Sequence, residues 1–196
     1  MRTPVIRSAT LVPRPDNPDC PVHSIRARVS RETTGSLAIS YAIEGDVSRV
    51  RVPAVSSPRF IDGLWQHTCC ECFIAVHDEP GYHEFNFAPS REWAAYEFAD
   101  YRGGGPLDDR ALDPRIVATS SADTVTLNAS VALERLSGRH TQAPLRLGLS
   151  VVIEDTHGVL TYWALTHPKD KPDFHDRRSF VLEMAPPRPS RERAAE

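Results

Sequence analysis

Residues 65–89 read WQHTCCECFIAVHDEPGYHEFNFAP, and their pattern decides the fold. Two short apolar-rich runs, Cys69 to Val76 and Tyr82 to Ala88, flank His77, Asp78, Glu79, Pro80 and Gly81. That is the signature of a β-hairpin. Side chains alternate across a strand, so Cys70, Cys72, Ile74 and Val76 share one face of the first run, and Cys69, Glu71, Phe73 and Ala75 the other. In the second run His83, Phe85 and Phe87 oppose Tyr82, Glu84 and Asn86. With the cysteines and phenylalanines in the core, Glu71, Glu84 and Asn86 stand together on one polar surface.

Similar runs recur along the chain. They are Val5 to Val12, Val22 to Val29, Leu37 to Ile43, Val50 to Val52, Trp93 to Ala99, Ile116 to Thr119, Thr124 to Leu133, Leu145 to Ile153, Val159 to Leu165 and Ser179 to Met184. No stretch of 12 residues or more keeps a helical apolar period. The 17 prolines and 10 glycines fall mostly between runs rather than within them. Short strands punctuated this often predict an all-β fold, a two-sheet antiparallel β-sandwich of jelly-roll type. Asp155 to Gly158 reads as a tight hairpin, and Arg102 to Pro114 as an irregular loop. One domain is expected over residues 1–185, followed by a disordered tail at 186–196 that has no apolar pattern.

Alternation also assigns faces elsewhere. Leu145, Leu147, Leu149, Val151 and Ile153 read as core, leaving Arg146, Gly148 and Ser150 opposite. In the Trp93 run Ala94, Tyr96 and Phe98 read as inward, and Trp93, Ala95 and Glu97 as outward.

Charge excludes one class of partner. The 23 Lys and Arg against 26 Asp and Glu leave a net −3 with no basic stripe, so nucleic acid is not expected. No apolar run approaches the roughly 20 residues of a membrane span, and the N-terminus lacks a secretory apolar segment, so neither membrane nor export is expected. A cytoplasmic protein follows. Cys69, Cys70 and Cys72 on one strand and a solitary Cys20 are badly placed for disulfides and fit reduced thiols. CCEC lacks the second ligand pair of a zinc site. Gly103 to Gly105 is too brief, and followed by Pro106 rather than a helix, for a phosphate loop.

Candidate ligand contacts are Glu71, Glu84 and Asn86 on the hairpin, Arg146 on the same outward set, Trp65 and Trp93 as aromatic platforms, and His167, Lys171 and His175 in the loop HPKDKPDFH. That loop, stiffened by Pro168 and Pro172 and anchored by Phe174, is expected to close over one end of the sheet and offer a cation. A solvated face, with Glu71 or Glu84 ion-paired to Arg146, is the alternative.

The blocks DGLWQHTCCECFIAV and YHEFNFAPSREWAAYEFADYR, spanning Asp62 to Arg102, and THPKDKPDFHDRRSFVL, from Thr166 to Leu182, resemble the DOMON-like, type 9 carbohydrate-binding-module-like family of uncharacterised bacterial proteins. Together they cover roughly a third of the chain. The resemblance implies a jelly-roll-like sandwich with a pocket on one sheet, where relatives bind sugars or haem. The reading that follows is a non-enzymatic module for a carbohydrate or related small polar ligand, with no catalytic residue, no metal ligand and the cofactor left open. Its rivals are a glycan-active enzyme using Glu71 and Glu84, and a haem or metal binder using His67, His167 or His175.

Overall fold

The computed structural model describes residues 2–107, 109 and 112–189. Fourteen strands succeed one another: β1 Arg2–Thr3, β2 Val5–Pro13, β3 Val22–Arg31, β4 Ser36–Gly45, β5 Cys69–Val76, β6 Tyr82–Phe87, β7 Trp93–Asp100, β8 Gly103–Pro106, β9 Arg115–Ser120, β10 Thr124–Ala132, β11 Leu145–Glu154, β12 Leu160–Ala164, β13 Leu182–Met184 and β14 Arg188–Pro189. A single five-residue helix, α1 Gly138–Gln142, is the only α-helix among the described residues. No described helix is long and apolar enough to cross a membrane.

Among the described residues twelve of the strands form one antiparallel sheet along the path β8-β7-β6-β5-β11-β12-β2-β3-β4-β10-β9, with β13 lining the part of β11 that β12 leaves free, and β1 and β14 pair separately. The path folds over at β12 and β2, which pair only through Trp163–Pro13 and Ala164–Val12. Folding brings two apolar faces together. Ile25, Ile39 and Leu127 from one layer meet Cys72, Phe85 and Leu147 from the other in one core. Tyr41 spans the interior, and its hydroxyl donates to the Glu71 carbonyl at 2.7 Å. The buried tyrosine thereby satisfies its polar end and ties the second layer to the strand beneath Glu71. The result is the expected β-sandwich.

The layer containing β5 has a second apolar cluster on its outer face, built from Cys69, Phe73, Tyr82, Ala94, Tyr96, Phe98 and Phe180. Phe180 stacks on Phe73 with centroids 5.5 Å apart. It fits there because residue 148 is glycine: a Cβ at that position would lie 2.7 Å from the Phe180 ring. As a consequence every residue of β5 and β6 is buried.

Several expectations are corrected. Trp93 and Ala95 face the inter-sheet core, whereas Ala94, Tyr96 and Phe98 face outward. The cause is register: the turn closed by the Ala88 amide on the Glu92 carbonyl sets Trp93 opposite Phe87, and paired residues point to the same side. Gly103–Pro106 is an edge strand, not the start of an irregular loop. Its glycines let it press onto β7, where a Cβ on Gly104 would stand 1.9 Å from the Glu97 carbonyl oxygen; residues 108, 110 and 111 of that loop lie outside the described residues. Val50–Val52 forms no strand, only a bridge from Val50 to Asp155. Arg177–Ser179 is a 3-10 turn ahead of β13. Of the expected tail, Arg188–Pro189 pairs with Arg2–Thr3, and residues 190–196 lie outside the described residues. All four cysteines are free thiols, and burial pushes Cys70 and Cys72 upward from ordinary thiol acidity.

Candidate functional site

The outer face of the β5 layer is hollowed into a cavity of about 360 Å³. Its floor is made by alternation along three adjacent strands: Glu71 and Phe73 from β5, Glu84 from β6, Tyr96 and Phe98 from β7. Across β11 the same outward set ends in Val152, and β12 adds Tyr162. Trp65 stands at the mouth on the short turn Leu64–Gln66, 49% exposed, where Gly63 adopts the left-handed conformation (φ 80°) that launches the turn. The segment after β12 supplies the remaining wall through Pro172, Phe174 and His175.

Glu71 and Glu84 are buried, 3% and 4% exposed, which is rare for carboxylates without a cation partner. Ser150 donates to Glu71 at 2.6 Å, and the Asn86 amide donates to Glu84 at 2.9 Å. Burial and the neighbouring Glu84 charge push the Glu71 carboxyl up to about 8. Burial likewise raises Glu84 to about 7, against the pull of Asn86 and Arg102. A carboxyl taken from water holds its proton more tightly because the ion has lost its hydration. His175 sits 3.5 Å from Glu84 and hydrogen-bonds the Tyr82 hydroxyl at 2.9 Å. Burial, aided by Arg102, lowers its pKa to about 4, so the ring is neutral at physiological pH.

The wall is clamped from outside. Asp173 accepts from Lys169 at 2.5 Å, from Tyr101 at 2.6 Å and from Arg102 at 3.2 Å. Burial works to raise the Asp173 carboxyl, but these donors outweigh it and hold it low. Residues 169–175 are thus stapled to the β7–β8 turn by ion pairs, with Phe174 tilted against Tyr162.

Of the residues expected from sequence, the fold brings Trp65, Glu71, Glu84 and His175 together around the cavity. Asn86 lies behind it as a fully buried donor to Glu84. Trp93 is corrected: it is 3% exposed inside the core, edge-on to Phe60. Arg146 is corrected too, since it ties down Phe180 through its carbonyl at 3.0 Å and pairs with neither glutamate. His167 bonds the Val12 carbonyl, and Lys171 is exposed; neither lines the cavity. The cation of the loop that does structural work is Lys169. His67 bonds Glu154 at 2.8 Å, apart from His167 and His175 in its contacts, and no cluster of three His, Cys, Asp or Glu suited to a metal occurs among the described residues.

Sequence reasoning missed Arg102, Tyr96, Phe98, Tyr162 and Phe174 as lining residues. The signal for Tyr96 and Phe98 was present: once Glu84 and Tyr82 face outward, antiparallel register places Tyr96 and Phe98 opposite them. Nothing local marks Arg102, on the β7–β8 turn, or Tyr162, which arrives from a distant part of the chain.

No family model and no curated protein matches this chain. Solved structures do. A Bacteroides uniformis protein provisionally described as carbohydrate-binding aligns with a TM-score of 0.68 at 13% identity, covering 90% of this chain and 84% of that one. A family 9 carbohydrate-binding module from Caldicellulosiruptor kristjanssonii aligns in its glucose complex with a TM-score of 0.53 at 11% identity, covering 95% and 88%. Its cellotriose complex gives 0.54 at 10%, covering 97% and 87%. The chain therefore has the fold of carbohydrate-binding modules.

Proposed function

We propose that this protein is a non-enzymatic, DOMON-like binding module for a sugar or sugar derivative, held in the cavity over Glu71 and Glu84. The observation that carries the reading is a cavity at the small end of the ligand-site range of roughly 300–1,000 Å³, with carboxyls on its floor and aromatic rings on its walls. Sugars present hydroxyls around a ring edge and apolar C–H groups on its faces, and this lining offers a partner to each. Carboxyls accept hydrogen bonds from hydroxyls and, when protonated, donate to them as well. The solved neighbours, one of them in complex with glucose and with cellotriose, support the same reading.

Two carboxyls with raised proton affinity on neighbouring strands also favour a second reading, hydrolysis of a glycosidic bond, which uses one protonated and one ionised carboxyl. A thermal-shift screen of mono- and disaccharides tests the first reading, because a ligand that binds only the folded chain raises the unfolding midpoint. At least one sugar is expected to raise it, with the shift lost in Trp65→Ala. No shift from any sugar overturns the proposal. Release of nitrophenol from chromogenic glycosides, abolished by Glu84→Gln, would establish the enzyme instead.

A further inference from the structure

We propose that the ligand carries a positive charge, and specifically that the cavity takes an amino sugar whose ammonium group lies between Glu71 and Glu84. This deepens the sugar-binding reading and rests on it.

The lining is acidic at its base. Glu71 and Glu84 come from directly neighbouring strands, with Glu71 paired to Asn86 and Glu84 to Phe73, so both carboxyls lie on the same side of one patch of sheet. Neither is ion-paired to a lysine or arginine among the described residues. The permanent cation of the lining, Arg102, is held at the rim by Asp173, its side chain 51% exposed. Its attraction reaches both glutamates without contacting either. Lys169, the nearest loop cation, is committed to Asp173 and Tyr101.

Glu71 can take a further donor. Its Oε2 accepts from Ser150, while Oε1 accepts from none of the described residues and the carboxyl lines the cavity. An ammonium group has three donors and no acceptor, so it suits two carboxyls on neighbouring strands. The aromatic lining favours a cation as well. Tyr96, Tyr162 and Phe174 line the same cavity, and aromatic rings attract cations, by more when the site is desolvated. Glu71 and Glu84 hold their protons more tightly than ordinary carboxyls, and an ammonium placed between them would let those protons go to solvent and take over their role, a gain that neither a neutral hexose nor an anionic sugar offers. His175 does not alter the balance, since it is neutral and engaged with Tyr82.

The test uses isothermal titration of the full chain with glucosamine, galactosamine and mannosamine, each beside its neutral parent hexose and its N-acetyl derivative. Cyclohexylammonium serves as an amine without hydroxyls. At least one amino sugar is expected to bind ten or more times tighter than its parent, acetylation is expected to abolish that advantage, and Glu71→Gln is expected to shrink it. The folded state of Glu71→Gln is checked by its circular dichroism and unfolding midpoint. Should parent hexoses bind as well as their amines, the charge proposal is overturned and the sugar reading survives. Cyclohexylammonium equalling the amino sugars, with neutral hexoses silent, overturns the sugar reading and keeps recognition of the cation. If no amine binds, the proposal is overturned.

Discussion

The two layers of the sandwich present opposite outer faces. On the β2–β3–β4–β10–β9 layer the outward row runs Ser8, Arg28, Ser40, Asn128 and Val117, and burial alternates strictly along β4. On the other layer a roof of Phe180 and the 169–175 segment covers the outer face around Phe73, Tyr82 and Glu84, and alternation of burial vanishes from β5 and β6. One face meets water. The other has an interior of its own. Alternation of sequence reports a strand's faces only where one of them is wet; once both are covered, apolar residues suit either side, and the pattern no longer says which side holds the site.

The sharpest way to break this contrast is to remove the roof. Phe180→Ala should cost about 3–5 kcal/mol, the range for deleting a buried aromatic ring, whereas Val117→Ala on the bare face should stay within roughly 0.5 kcal/mol. Urea unfolding of both variants measures the difference, and equal costs would mean that the roof adds nothing to the fold.

Glu71→Gln or Glu84→Gln should weaken binding of an identified ligand by one to two orders of magnitude, as expected from charge-assisted hydrogen bonds of about 1.5–3 kcal/mol. Arg28→Gln, on the bare face, should leave the isotherm unchanged. Wild-type affinity in both glutamate variants would remove the carboxyls from the site.

The roofed face also predicts a pH dependence. Glu71 and Glu84 titrate near 8 and 7 in the folded chain, above the ordinary value of about 4.3 that they regain on unfolding. Their contribution to stability is therefore full below that ordinary value and is lost as pH rises through 7 and 8. His140 and His175, lowered to about 4 by burial, act in the opposite sense below about 6.5. Between pH 6.5 and 8 the carboxyls act unopposed by these histidines, and stability should fall by about 2–3 kcal/mol, given about 1.4 kcal/mol per proton per pH unit. Glu71→Gln should flatten the curve; an unchanged slope would place the titrating group elsewhere.

The smallest contrast separates Trp65 from the loop residues that miss the cavity. Trp65→Ala should weaken ligand binding about tenfold with stability nearly unchanged, while Lys171→Ala should alter neither beyond about 0.5 kcal/mol. A loss of affinity in Lys171→Ala would mean that the segment moves to engage the ligand.

The hairpin of Cys69 to Phe87, the all-β class, the burial of Cys70 and Cys72 and the grouping of Glu71, Glu84 and Asn86 were legible in the sequence. Each follows from interactions between near neighbours, the alternation of a strand and the chemistry of a turn, which a short stretch of chain contains in full. The burial of those glutamates, the inward turn of Trp93 and the arrival of Arg102, Tyr162 and Phe174 were decided by tertiary structure. Each depends on what covers a face, and the cover comes from residues far away in the chain, such as Phe180 settling on Gly148. A strand encodes that it has two faces; only its neighbours in space decide which of them sees water and which becomes a cavity.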